Sequence, residues 1–234
     1  MTLLSVVRDV CAVVGVNIPT AVTTNLAANR TMQEMYALAN EMAQRIAYDT
    51  RDWTLFRKVQ TYTGDGIATS FALPADYKRM LLTSNVWQSS NTMWPLRFVP
   101  DTDEWMNRRA RNLYDSQGEW TMYGGNMVVS PIIGIGNSVY FAYLESNCIA
   151  LASGGYGNIF TADTDSFRLD ERLLKLGMIW QWKANKGTSY AEDMGTYSDA
   201  LAVAMGHDSP APIIVGRRPM SANARVAYPF PAPT

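Results

Sequence analysis

The sequence predicts an α+β fold: a helical bundle built from N- and C-terminal helix pairs, a central, mainly antiparallel β insertion, and an extended C-terminal arm. Three observations carry this. Apolar residues recur at helical spacing at both ends of the chain, they alternate with a period of two from Trp53 onward, and the last stretch turns Pro-rich. The corresponding divisions are residues 1–53, 54–150, 151–206 and 207–234.

The first helix is carried by Leu3, Val6, Val7, Val10, Cys11 and Val14, with Thr2 as cap and Gly15 as stop. Cys11 lies on that stripe, which marks it as a packed thiol. A second helix is expected from Arg30 to Thr50. Thr31 and Glu34 have capping-box spacing, and Met35, Leu38, Ala39, Met42 and Ile46 form the stripe. Leu55–Thr63 and Thr69–Leu73 then flank Gly64-Asp65-Gly66 and read as a hairpin, closed by Pro74. Val86–Gln88 and Met93–Val99 read as two strands around Ser89-Ser90-Asn91-Thr92. A short helix is expected over Asp101–Tyr114, capped by Asp101 or Thr102. Glu119–Tyr123 and Met127–Ser130 form a second hairpin around Gly124-Gly125-Asn126, and Gly136–Glu145 closes the β region. Leu169–Lys186 is apolar almost all round, which implies burial on two sides, and Gly187 follows it as a C-terminal stop. Ser189 and Glu192 repeat the capping-box spacing ahead of Tyr190, Met194, Tyr197, Leu201 and Met205, with Gly206 as the expected end.

Composition narrows the function. The 234 residues carry 20 Lys+Arg against 21 Asp+Glu, a net charge of −1, and only 18% are charged. That is poor in charge for a globular chain and points to surface covered by partners. The balance lacks the concentrated basic face that phosphate neutralisation requires. No apolar run is long enough to span a membrane. Met1–Val14 is interrupted by Arg8 and Asp9 and reads as a helix, not a signal peptide. Two cysteines, Cys11 and Cys148, make no disulfide framework and suit a reducing cytoplasm. A single histidine, His207, excludes a two-histidine zinc site and leaves a Ser-His-Asp triad only a residue near the Pro-rich end.

The motifs favour turn and cap chemistry. Asp163-Thr164-Asp165 invites a metal reading, but an EF-hand register would place Phe167, Arg168 and Leu174 at required ligand or glycine positions. These acids are expected to shape the turn before the helix that follows. Gly134-x-Gly136 has Val139 where a dinucleotide fingerprint needs glycine, and Lys186-Gly187-Thr188 is not in P-loop order. Arg108, Arg109 and Arg111 form the one tight basic cluster before the tail, either a solvated helix face or a contact for an acidic partner or DNA. The tail, 209–234, holds six of eleven prolines, three arginines and no acid. Within it Ile213-Ile214-Val215 is a β-branched triplet between Pro212 and Gly216, suited to adding a strand or filling a groove, and Arg217 and Arg218 follow at once.

Four stretches together resemble the head-to-tail adaptor proteins of tailed bacteriophages, also called tail tubular, neck or head-completion proteins. They are Val13-Val14-Gly15; Asp52-Trp53-x-Leu55-Phe56 after the second helix; Thr63-Gly64-Asp65-Gly66 leading to Phe71-Ala72-Leu73-Pro74-x-Asp76-Tyr77-x-Arg79-Met80; and Phe160 to Asp165 followed by Leu173-Leu174-x-Leu176-Gly177-x-Ile179-Trp180-x-Trp182-Lys183, Lys186-Gly187 and Tyr197. The resemblance spans about residues 1–205. It implies a structural virion protein, made in the host cytoplasm, that forms a ring of about twelve copies beneath the portal. Such a ring extends the DNA channel for packaging and ejection and seats the tail or nozzle protein, with a C-terminal extension reaching the portal. It implies no enzymatic activity and no cofactor. DNA would slide through without specific binding, which the near-neutral charge suits. Seven Trp, twelve Tyr and thirteen Met are ample for interfaces.

Two other readings compete. A carboxylate-dependent phage hydrolase would draw on Glu119, Glu145, Asp163 and Asp165. A sequence-independent DNA-binding module would use Arg108, Arg109 and Arg111.

Overall fold

A computed structural model describes residues 2–27, 29–81, 84–90 and 93–208. Helix α1 (Leu3–Val14) starts as its sequence dictates: Thr2 and Ser5 form a reciprocal capping box, and Gly15 ends it at φ +74°. Helix α2 (Arg30–Gln44) is capped by the Asn29 side chain, which accepts from the Thr31 amide. The expected Thr31–Glu34 box is therefore one turn-position off. Glu34 instead meets Arg30 and the Lys186 ammonium at the C-terminal end of the neighbouring C-terminal helix. The helix continues as a π turn over Arg45–Asp49. There the Ile46 carbonyl accepts both the Thr50 hydroxyl and the buried Trp53 indole, each at 2.7 Å.

A 3₁₀ turn, Thr54–Phe56, leads into β1 (Arg57–Thr63). The remaining β elements are β2 (Ser70–Ala72), β3 (Tyr77–Met80), β4 (Trp87–Gln88) and β5 (Arg97–Phe98); helix α3 (Thr102–Ala110), capped by Asp101, follows. Then come β6 (Glu119–Tyr123), β7 (Asn126–Ser130), β8 (Ser138–Glu145), β9 (Ile149–Ala150), β10 (Tyr156–Gly157) and β11 (Ser166–Phe167). The chain closes with α4 (Glu171–Asn185), capped by Asp170, and α5 (Ala191–Asp208). The structure is mixed α+β.

β8 organises the first sheet. All seven residues of β1 pair antiparallel with it on one side, and β3 and β4 pair with it on the other. The second sheet runs β2-β7-β6-β5, antiparallel except for the parallel β5–β6 contact. β9 centres a small third sheet with β10 and β11.

Two expected pairings did not form. β1 and β2 make no hairpin, and β4 and β5 belong to different sheets. The reason lies at Gly64, whose amide donates to the Asn137 carbonyl. A Cβ there would sit 2.4 Å from the Ile133 carbonyl oxygen, so this glycine permits a backbone approach to the 133–137 loop. The chain is thereby carried from the first sheet to the second. The Gly124-Gly125 hairpin does form, both glycines at positive φ. Gly206 does not end α5, which runs to Asp208, and that helix opens on the Tyr190 carbonyl, which accepts from Met194. The arm, including Ile213, Ile214, Val215, Arg217 and Arg218, lies outside the described residues.

Two large apolar cores result, beside a small cluster of Val99, Trp105 and Val128 under α3. One gathers α1, α2, α4 and Tyr197 of α5 around Met35, Met42, Ile46, Phe56 and Leu174. Cys11 is fully buried within it. The other packs the first two sheets around Tyr62, Trp120, Ile133, Val139 and Phe141. β8 serves both: Val139, Phe141 and Tyr143 face the β core, while Leu144 enters the helical one.

Candidate functional site

Where the two cores meet, charge is buried. Val139, Phe141, Tyr143 and Glu145 share one face of β8 by strand alternation, so the last of them points a carboxylate inward. Glu145 is fully buried. Arg168, just past β11, donates to its Oε1 at 2.6 Å and to the Asn147 carbonyl at 2.5 Å. The Arg168 guanidinium lies over the Tyr156 ring at 4.0 Å and the Phe56 ring at 5.1 Å. From β1, Lys58 Nζ reaches both Glu145 Oε2 and Asp76 Oδ2 at 2.6 Å. The Tyr143 hydroxyl donates to Asp76 Oδ1 at 2.9 Å. Hydrogen bonds to Asp76 and then Glu145 hold the Lys58 ammonium well above its usual pKa. Burial, then the bond to Asp76, pushes the Tyr143 phenol up to about 12. Arg168, Glu145, Lys58, Asp76 and Tyr143 thus form one chain of charge and hydrogen bonds across the junction.

A second set of acids fastens the N-terminus. The Asp163 carboxylate accepts the Val22 and Thr23 amides. The Asp165 carboxylate accepts the Ala152, Thr161 and Ala162 amides and the Thr161 hydroxyl. The carbonyls of the same two residues take the Leu3 and Leu4 amides, donors that the first turn of α1 cannot satisfy itself. The carboxylates shape turns, as expected, including the 161–165 turn ahead of α4; the entry of α1 is served by the main-chain carbonyls of the same residues, and Asp170 caps α4. Burial raises the Asp165 pKa, yet the backbone donors outweigh it and hold the carboxyl below its ordinary value.

The basic cluster is divided. Arg108 and Arg109 both pair with Glu119, which is fully buried. Arg109 also lies against the Trp105 and Tyr114 rings. Arg111 is exposed. All four acids considered for hydrolysis, Glu119, Glu145, Asp163 and Asp165, are therefore engaged by cations or backbone amides that fasten one segment to another. The sequence reading missed Lys58, Asp76 and Arg168. Their only local signal is a charged residue on the inward face of an alternating strand, or beside one, and it becomes informative once the β1–β8 register is known.

The foot of the arm is also fixed. Asp208 pairs with Arg51 at 3.3 Å, and its carboxylate accepts the Thr54 amide at 3.1 Å and the Thr54 hydroxyl. Exposed apolar residues gather away from both cores. Ile67 and Ile135 are 81% and 83% exposed on the touching 64–68 and 133–137 loops, and Val59 on β1 is 67% exposed.

Buried charges thus tie the segments together, and apolar side chains are left on the outer loops and strands. The profile of the SU10 adaptor protein family matches residues 1–216, and the chain belongs to that family. It is a phage head-to-tail adaptor-type protein, a structural component of the virion. No curated protein matches the chain.

Two outcomes are expected from the site. Replacing Arg108 and Arg109 together by Met strands Glu119 and should cost about 3–5 kcal/mol in urea denaturation, whereas Arg111→Ala should stay within about 0.5 kcal/mol. Asp165 has a lowered folded pKa, so its contribution is present above its unfolded pKa and is lost as pH falls through the folded one. Asp165→Asn should lose about 1–3 kcal/mol at neutral pH, and its stability should fall less steeply than the parent's below about pH 4.

Proposed function

We propose that this protein is the ring subunit that joins the portal to the tail and extends the DNA channel through which the genome is packaged and ejected. The single observation that carries this is the family match over residues 1–216. Copies associate side by side, in a closed cyclic ring of about twelve, because heterologous contacts close when the rotation between neighbours divides a full turn. The portal sits above and the tail or nozzle protein below, while DNA passes the lumen without being gripped. The arm carries the attachment, with Ile213, Ile214, Val215, Arg217 and Arg218 as the segment that engages the portal or a neighbouring subunit. Fixation of Asp208 beside Thr54 supports this, since it sets the point from which the arm departs. Of the basic cluster, Arg111 is the exposed member available to a partner or to the DNA backbone.

Purified portal rings mixed with the full chain should yield a complex whose native mass adds a complete ring of subunits. The chain ending at Asp208 should keep its melting temperature and fail to attach. Attachment by the shortened chain at the level of the parent would overturn the arm's role, and a full chain that never joins portal rings would overturn the adaptor reading.

A further inference from the structure

The first two sheets stack with their edges matched. Tyr62 of β1 lies on Phe71 of β2 with ring centroids 4.9 Å apart, and its hydroxyl donates to the Ala72 carbonyl. At the opposite edge the Leu96 amide, just before β5, donates to the Val86 carbonyl, just before β4. The stack therefore has a β1–β2 side and a β3–β4–β5 side, with the central strands between. These two sides differ in shape. On the first, the loop joining β1 to β2 projects Ile67, and the 133–137 loop against it projects Ile135, both almost wholly exposed. On the second, the sheets part to leave a mainly apolar groove of about 360 Å³, lined by Tyr77, Met80, Ser84, Phe98, Trp120 and Met122. Charge differs too. Among the described residues, Asp65 beside Ile67 meets only backbone amides, and Lys78 on β3, between Tyr77 and Met80, meets only the Tyr48 ring.

We infer that Ile67 and Ile135 of one copy seat in the groove between Tyr77 and Trp120 of the next copy. A second copy is the occupant because one chain supplies both halves, a projection and a recess, with an acid beside the first and a base beside the second. Docking takes the two isoleucines out of water against aromatic and Met walls, which is favourable in proportion to the apolar area covered. It also brings Asp65 to the side on which Lys78 stands, and such complementarity fixes which faces meet. Projection and recess lie on opposite sides, so the contact is heterologous and repeats from copy to copy. The inference rests on the ring reading and deepens it, by naming the two faces that neighbouring subunits share.

Full-length variants test it, each measured for native mass over a concentration series, alone and with purified portal rings. Ile67→Asp/Ile135→Asp removes the projection, and Ser84→Trp fills the groove. Both should melt with the parent and self-associate at least about tenfold more weakly. Phe98→Glu, at a half-exposed position of the groove wall, should behave as Ser84→Trp does and serves if the latter melts lower. Mixed in equal amounts, a projection variant and a groove variant should form a one-to-one pair and nothing larger, because one intact projection then meets one intact groove. Variants that assemble like the parent would overturn this contact and leave the ring reading standing. Loss of assembly in the isoleucine variant alone would overturn the groove as its seat. A parent that stays monomeric in every condition would overturn both the contact and the ring.

Discussion

The buried Glu145 carboxylate is the constraint around which the two halves of the structure are arranged. It ends the one strand that contributes to both cores, and it is met by a cation from each side: Arg168 from the segment leading into α4, Lys58 from β1. A buried charge left without its partner costs about 3–5 kcal/mol, so neither half can shift without exposing that penalty. The surrounding geometry is consistent with this demand. Arg168 is held between Phe56 and Tyr156, and Lys58 is shared with Asp76, which is itself fixed by Tyr143 and by the Ser146 amide. The result is a joint specified by direction as well as by burial.

The same economy of charge runs through the molecule. A chain with few charged residues places many of them between its own segments: Asp163 on the Val22 and Thr23 amides, Asp165 on the Ala152 and Thr161 amides, Glu119 under α3, Asp52 with Arg79, and Asp208 with Arg51. Apolar side chains are left to the outer loops and strands. Such a surface suits a protein that is joined to others side by side, because interface centres are depleted in charge.

The helices were legible in the sequence because a 3.6-residue stripe and a capping residue are local signals: Thr2, Gly15, Asp101 and Gly187 all mark real ends. Strand existence was legible for β6, β7 and β8 for the same reason. Pairing was not. β1 and β8 are far apart in sequence, and the glycines at 64 and 66 read as a tight turn when the chain instead needed a close backbone approach. β3 and the small third sheet are too short to show a period. The acids at 163 and 165 were recognised as turn-shaping groups, yet the tie their main-chain carbonyls make to α1, at the other end of the chain, left no local signal. The junction itself was invisible because Lys58, Glu145 and Arg168 share no local pattern.

The central claim is that the Glu145 ion pairs make the β region and the helical body one cooperative unit. Hydrogen exchange of the parent and of Glu145→Gln under increasing urea tests it most directly, comparing amides of β7 and β8 with those of α2 and α4. The parent should show both groups opening at a common free energy. The variant should be destabilised by about 3–5 kcal/mol, with the β amides opening before the helical ones. A variant that keeps a single shared transition within about 0.5 kcal/mol of the parent would contradict the account.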